Sequence, residues 1–167
     1  SSLRKDSPHT APVMPTESSL LAHNFNDCVC IALNNGFDDI CILHTDVCPE
    51  NGWLDILYEE REAIGTKVIH AVSPIKDHRG VTSTAYAYSD EPWTLLRRLT
   101  MAESKQLPET WTLNDVRQTI DPKIKHVLPN TGCLLVSCEV LNDFPGFEIR
   151  DRIRKTVKEG KTIWLSE

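Results

Sequence analysis

An order of segments between residues 15 and 72 constrains this chain more than any other feature. Helical periodicity and strand-like apolar runs alternate there twice. Pro15-Thr16-Glu17-Ser18 carries a helix-start pattern, with proline and acid in the first turn. Leu20, Leu21, Phe25, Val29 and Leu33 then recur at helical spacing, and Gly36 follows as a stop. Asp39-Ile40-Cys41-Ile42-Leu43 is a short apolar run of the kind that forms a buried strand. Pro49-Glu50 opens a second helix with Leu54, Leu57, Tyr58 and Ile64 on its apolar side, closed by Gly65. Lys67-Val68-Ile69-His70-Ala71-Val72 is the next strand. Helix, strand, helix, strand predicts an α/β fold with a mostly parallel mixed sheet and crossover helices. The strands at 40–43 and 67–72 are expected to be parallel neighbours, with the 50–64 helix packed on them.

Later segments are less regular. Residues 81–88 carry β-branched and aromatic side chains and read as a strand. Short helical pieces are expected at 93–99 and 113–120, and strands at 124–128, 133–136 and 162–165. Residues 147–159 fit two periods. Ile149, Ile153 and Val157 make a helix stripe, while Phe147, Ile149 and Ile153 alternate with Arg150, Arg152 and Arg154 as a strand would. Residues 1–14 are polar and contain proline, which predicts a loosely structured lead-in to a single domain over 15–167.

Composition excludes several classes. Lys plus Arg number 18 against 24 Asp plus Glu, a formal charge of −6. An acidic domain without a basic block lacks the means to neutralise phosphates, so nucleic acid is not an expected partner. No apolar run is long enough to span a membrane. The 167 residues suffice for one hydrophobic core without a metal or disulfide staple. The six cysteines (28, 30, 41, 48, 133 and 138) form no C-x-x-C pair, and Cys41 and Cys133 lie in apolar runs. They read as reduced core thiols, which points to a cytoplasmic location. The Ser-Ser start and the stop after an apolar run read as a segment cut from a longer protein.

Dinucleotide, P-loop and nucleophile-elbow motifs are missing. The sharpest local feature is Ile42-Leu43-His44-Thr45-Asp46, an apolar strand ending in a His and an Asp two residues apart. In open α/β sheets ligands bind beyond the carboxyl ends of strands. His44 and Asp46 are therefore candidate ligand or metal residues, or else satisfy a loop and cap the next helix. The loop 74–80, with Lys76, Asp77 and then Thr82, Ser83 and Thr84, is a second candidate, or a solvated hairpin. Asn130-Thr131-Gly132 is a third, or a turn that needs glycine. Arg150, Arg152, Arg154 and Lys155 form a basic group that reads as a solvated face.

In order along the chain, 19–26 (Ser-Leu-Leu-Ala-His-Asn-Phe-Asn), Leu43-His44-Thr45-Asp46, Gly52-Trp53-Leu54-Asp55, Pro74-Ile75-Lys76-Asp77, Gly80-Val81-Thr82-Ser83-Thr84, Arg98-Leu99-Thr100-Met101, Leu107-Pro108-Glu109-Thr110 and Asn130-Thr131-Gly132 resemble glycosyltransferase-like proteins with the GT-A nucleotide-diphospho-sugar transferase fold. The resemblance covers about residues 12–167. It implies a three-layer α/β/α fold and sugar transfer from a nucleotide-sugar donor to an acceptor. It implies a divalent metal, Mn²⁺ or Mg²⁺, at a variant D-x-D in which His44 replaces the first Asp and Asp46 is the second. It places Lys76, Asp77, Thr82, Ser83, Thr84, Asn130, Thr131 and Gly132 beside donor or acceptor. The closing Leu165-Ser166-Glu167 resembles the approach to the family's catalytic acidic pair, with Glu167 its first member and the base just beyond. The family's first strand is missing or reduced to the stretch before Pro15, so the segment is expected to be catalytically incomplete. Two other readings compete. One is a non-catalytic nucleotide- or glycan-binding module on the same fold, and the other a metal-dependent nucleotidyltransferase or hydrolase.

Overall fold

The computed structural model describes residues 2–13, 21–76, 78–90, 97–147, 153–158 and 161–166. Helix α1 (Leu21–Asn34) buries Val29 and Ala32. It ends as the glycine predicts. Gly36 adopts φ 68°, its amide reaches the Leu33 carbonyl at 3.3 Å, and the Phe37 amide reaches Ala32 at 3.1 Å. That pair of bonds satisfies carbonyls the helix end would leave bare. Helix α2 (Trp53–Ile64) closes the same way at Gly65, with the Gly65 amide on Glu62 and the Thr66 amide on Arg61.

The first sheet contains β1 (Asp39–Leu43), β2 (Val68–His70) and β6 (Cys133–Ser137), in the order β1-β6-β2. Both outer strands pair antiparallel with β6: Ile40 faces Val136 and Ile42 faces Leu134, while Val68 also faces Val136. β1 and β2 thus point the same way, as the alternation predicts, but they do not touch. The expectation of a mostly parallel, three-layer GT-A-like sheet is overturned: the protein is a small mixed α/β structure built on small antiparallel sheets. The physical reason lies in β6. Cys133, Leu134, Leu135 and Val136 are all buried, so this strand is apolar on both faces and takes the centre. Local periodicity ranks no strand above another, and β6 arrives from more than sixty positions further along the chain.

α1 covers the Ile40–Val136 face with α5 (Cys138–Leu141), forming a core of Val29, Ala32, Ile40, Val136, Cys138 and Leu141. Asp39 and Cys41 alternate to the opposite side. There Arg61 of α2 holds Asp39, with a second guanidinium bond of 3.1 Å. The residues before α1 have no helix or strand over 2–13, yet they are tied to α2. The Leu54 amide donates to the Ser2 carbonyl at 3.0 Å, the Arg4 amide donates to Asp55 at 2.6 Å, and His9 stacks on Tyr58 at 3.8 Å.

The second sheet is antiparallel, with β3 (Val81–Ala87) between β4 (Arg97–Thr100) and β5 (His126–Leu128). Its core is Tyr86, Leu99, Leu107, Val116 and Ile124. The helical piece expected at 93–99 is corrected over its described part, where β4 is a strand. Helix begins one residue later, because Thr100 and Glu103 form a capping box that starts α3 (Met101–Ser104). α4 (Leu113–Thr119) starts on Thr112, whose amide and hydroxyl both reach Asp115 at 2.7 Å. The strand expected at 133–136 appears as β6, and that expected at 124–128 is strand only over 126–128, as β5. The ambiguous stretch near 153 is strand: β7 (Ile153–Lys158) pairs antiparallel with β8 (Lys161–Ser166), from Ile153–Ser166 to Lys158–Lys161. Arg150 and Arg152 lie outside the described residues.

Candidate functional site

The ends of β1 and β2 and the start of β6 lie on one edge of the first sheet, because the outer strands run one way and the middle strand the other. Pairing continues one residue past β1: the His44 amide donates to the Gly132 carbonyl at 2.9 Å. The His44 ring is held between Thr131 Oγ1, 3.3 Å from Nε2, and the face of Phe25, centroid to centroid 5.7 Å. The Val47 amide then closes a turn on the His44 carbonyl at 3.1 Å, and Asp46 projects from that turn. Lys76 Nζ meets Asp46 Oδ2 at 3.3 Å, both side chains largely exposed.

Lys76 reaches there because residues 73–75 pair antiparallel with residues 81–83. The Ser83 amide donates to the Ser73 carbonyl at 2.8 Å and the Ile75 amide to Val81 at 3.0 Å. The Ser73 and Ser83 hydroxyls meet at 3.0 Å. Gly132 is the point where the three segments converge. A Cβ there would lie 2.8 Å from Asn130 Oδ1, 3.8 Å from Val47 Cγ2 and 3.9 Å from Ser73 Oγ. The glycine is required by close approach, not by backbone conformation. Asn130 is fixed on two sides: Oδ1 accepts the Gly132 amide at 2.8 Å, and Nδ2 donates to the Ala71 carbonyl at 3.2 Å. Nδ2 also faces His70 Nδ1 at 3.2 Å.

Of the residues singled out in the sequence, His44, Asp46, Lys76, Ser83, Asn130, Thr131 and Gly132 come together at this edge. Thr82 and Thr84 do not. Both are fully buried with Tyr86 on the core face of β3, because alternate strand positions share a face. Asp77 and Glu167 lie outside the described residues. His70 was missed because the sequence reads the strand through to Val72, whereas β2 ends at His70 and so places it at a strand end like His44. Ser73 and Phe25 were missed too, since neither has a local signal.

Burial holds the His70 imidazole below the ordinary histidine range, with the nearby Ala71 carbonyl pulling the other way. Burial pushes the Cys41 thiol up to about 12 and Cys133 to about 11. Neither is a thiolate nucleophile at neutral pH. All six cysteines are free. Cys133 is buried as expected, whereas Cys41 is only partly so.

The implied Mn²⁺ or Mg²⁺ can be tested against the donor set. Among the described residues no three His, Cys, Asp or Glu side chains group as a metal site. Asp46 is a single carboxylate already paired with an ammonium, and the His44 ring nitrogen faces a hydroxyl. Hard divalent cations take several oxygens, usually including carboxylates. The described residues therefore do not fit a resident divalent ion. No helix among the described residues is long and apolar enough to cross a membrane.

No family model, curated protein or solved structure matches this chain.

Proposed function

We propose that the chain binds a nucleotide-sugar donor at the edge formed by His44–Asp46, Lys76, Ser83 and Asn130–Gly132, and serves glycosyl transfer. The observation that carries this reading is the convergence on Gly132 of three segments far apart in sequence. They gather an exposed ammonium on Lys76, the hydroxyls of Ser73, Ser83 and Thr131, and the His44 imidazole. A diphosphate needs a cation and several hydrogen-bond donors, and Lys76 with these groups supplies them. Asp46 keeps Lys76 extended over the edge, and would itself repel a phosphate that displaced it. In the transfer, an acceptor hydroxyl oxygen bonds to the anomeric carbon while the bond from that carbon to the phosphate oxygen breaks. The nucleoside diphosphate leaves, and the acceptor proton passes to a base. Lys76 would offset charge on the departing diphosphate.

Titration with UDP-glucose, UDP-N-acetylglucosamine and GDP-mannose, each with and without Mn²⁺, tests this. Binding should be lost in K76A and weakened in G132A, whose new Cβ drives Asn130 out of place. Equal affinity in wild type and K76A rejects the site.

The lone carboxylate favours a second reading, a non-catalytic nucleotide- or glycan-binding module. Slow release of free nucleoside diphosphate from a bound donor supports the transferase. Tight binding with no release supports the module.

A further inference from the structure

A cleft of about 840 Å³ opens along the outer edge of β2, between α2 and the segment that leads from α3 to α4. His70 and Trp111 meet in it at right angles, with ring centroids 6.5 Å apart. Trp111 is also packed against the Tyr86–Leu99 core, so it is a rigid wall rather than a loose side chain. Glu60, Glu109 and Thr110 add polar groups, and among the described residues no lysine or arginine lines the cleft.

Asn130 settles which ring nitrogen of His70 carries the proton. Its Oδ1 is taken by the Gly132 amide and its Nδ2 by the Ala71 carbonyl, so the amide cannot flip. Nδ2 therefore offers its remaining hydrogen to His70 Nδ1. Nδ1 accepts, and in the neutral ring the proton lies on Nε2, the nitrogen away from Asn130.

We propose that this cleft is a binding site for a neutral saccharide, separate from the edge at Gly132. His70 Nε2–H is a donor, while the carboxylates of Glu60 and Glu109 are acceptors. A sugar hydroxyl meets both. The flat Trp111 ring suits the C–H face of a pyranose, with the polar groups fixing its orientation. A phosphate or other anion meets no cation among the described residues there, and two carboxylates repel it. An organic cation would suit the carboxylates but not an N–H donor. Burial keeps the imidazole neutral, which preserves the donor–acceptor pattern at physiological pH.

The test is saturation-transfer NMR on the whole chain with glucose, galactose, mannose, N-acetylglucosamine, maltose and cellobiose. At least one should bind with a Kd on the order of 1 mM or tighter. W111F, which keeps an aromatic in the core, and H70Q should each weaken it about tenfold. K76A should leave it unchanged, while W111F should leave nucleotide-sugar binding unchanged, so the two sites stand or fall separately. Nitrogen-15 spectra should show His70 Nδ1 unprotonated, and N130A should move it toward a mixture of tautomers. The proposal is overturned if no sugar in the panel binds, if W111F and H70Q bind it as wild type does, or if K76A removes it. It is also overturned if inorganic phosphate or tetramethylammonium displaces the sugar.

Discussion

Each three-stranded sheet has a central strand antiparallel to both neighbours, and the two differ in what that strand buries. β6 presents only apolar side chains from Cys133 to Val136, and Leu135 is wholly inaccessible. β3 instead turns Thr82, Thr84 and Tyr86 into its core, each 0% exposed, and none of their three side-chain oxygens finds a hydrogen-bond partner among the described residues. Burial of an apolar side chain is favourable in proportion to the area removed from water. A hydroxyl buried without a partner carries a desolvation penalty. The first sheet is therefore held by packing, whereas the second gains less from equally complete burial.

The largest expected effect breaks this contrast directly. Leu135→Ala should destabilise by about 2–5 kcal/mol, since close packing on both sides leaves a cavity that cannot collapse. Urea unfolding of the two proteins measures it. A loss well under 1 kcal/mol would mean that β6 is not the centre of the sheet. Thr84→Val should act in the opposite sense, raising stability by about 1 kcal/mol by removing an unpartnered hydroxyl at nearly constant volume. Tyr86→Phe should behave likewise. If both destabilise, the hydroxyls have partners beyond the described residues and the contrast between the sheets narrows.

A smaller effect separates the sheets by pH. His70 belongs to the first sheet and has a folded pKa below its ordinary value of 6.5. The unfolded chain therefore binds its proton first. The stability associated with neutral His70 is present above about pH 6.5 and is lost as the pH falls below it. Urea midpoints should drop between about pH 7 and about pH 5 in wild type, and drop less in H70Q. The carboxylates that titrate lower in the range are common to both proteins and cancel in the difference. Identical slopes would remove burial as the controlling influence on His70.

Much of the first sheet was legible because its signals are local. Gly36 and Gly65 stop helices by a backbone conformation that glycine adopts readily, and the apolar runs at 39–43 and 133–136 are dense enough to stand out. Strand order was not legible. Both β1 and β2 seek a neighbour, and nothing near them says that it comes from residue 133 onward. The site was half legible for the same reason. His44, Asp46, Lys76 and Asn130–Gly132 lie in polar breaks after or between apolar runs, which sequence marks. Thr82 and Thr84 looked equally polar, but β3 alternation turns them inward and sends Ser83 to Ser73. His70 and Trp111 carry no motif at all. Only the approach of the second sheet to the edge of β2 gives them a shared cleft.

The smallest expected effect on stability is also the sharpest separation of fold from function. Lys76 and Asp46 pair at 3.3 Å with side chains 77% and 63% exposed. Water screens such a pair, and ordering two mobile side chains offsets what attraction remains, so its contribution is about 0–1 kcal/mol. Neither side chain belongs to either apolar core. Lys76→Ala and Asp46→Ala should therefore unfold within about 0.5 kcal/mol of wild type. Their effects on nucleotide-sugar binding should nevertheless have opposite signs. Removing Lys76 deletes the cation offered to the diphosphate, whereas removing Asp46 frees that cation and deletes a carboxylate that would repel it. If Asp46→Ala abolishes binding instead, and only in the presence of Mn²⁺, the carboxylate acts through a cation brought in with the donor. The variant D-x-D reading would then replace the direct lysine contact. Stability provides the control for either outcome, because a pair this exposed cannot lose binding by unfolding the sheet beneath it.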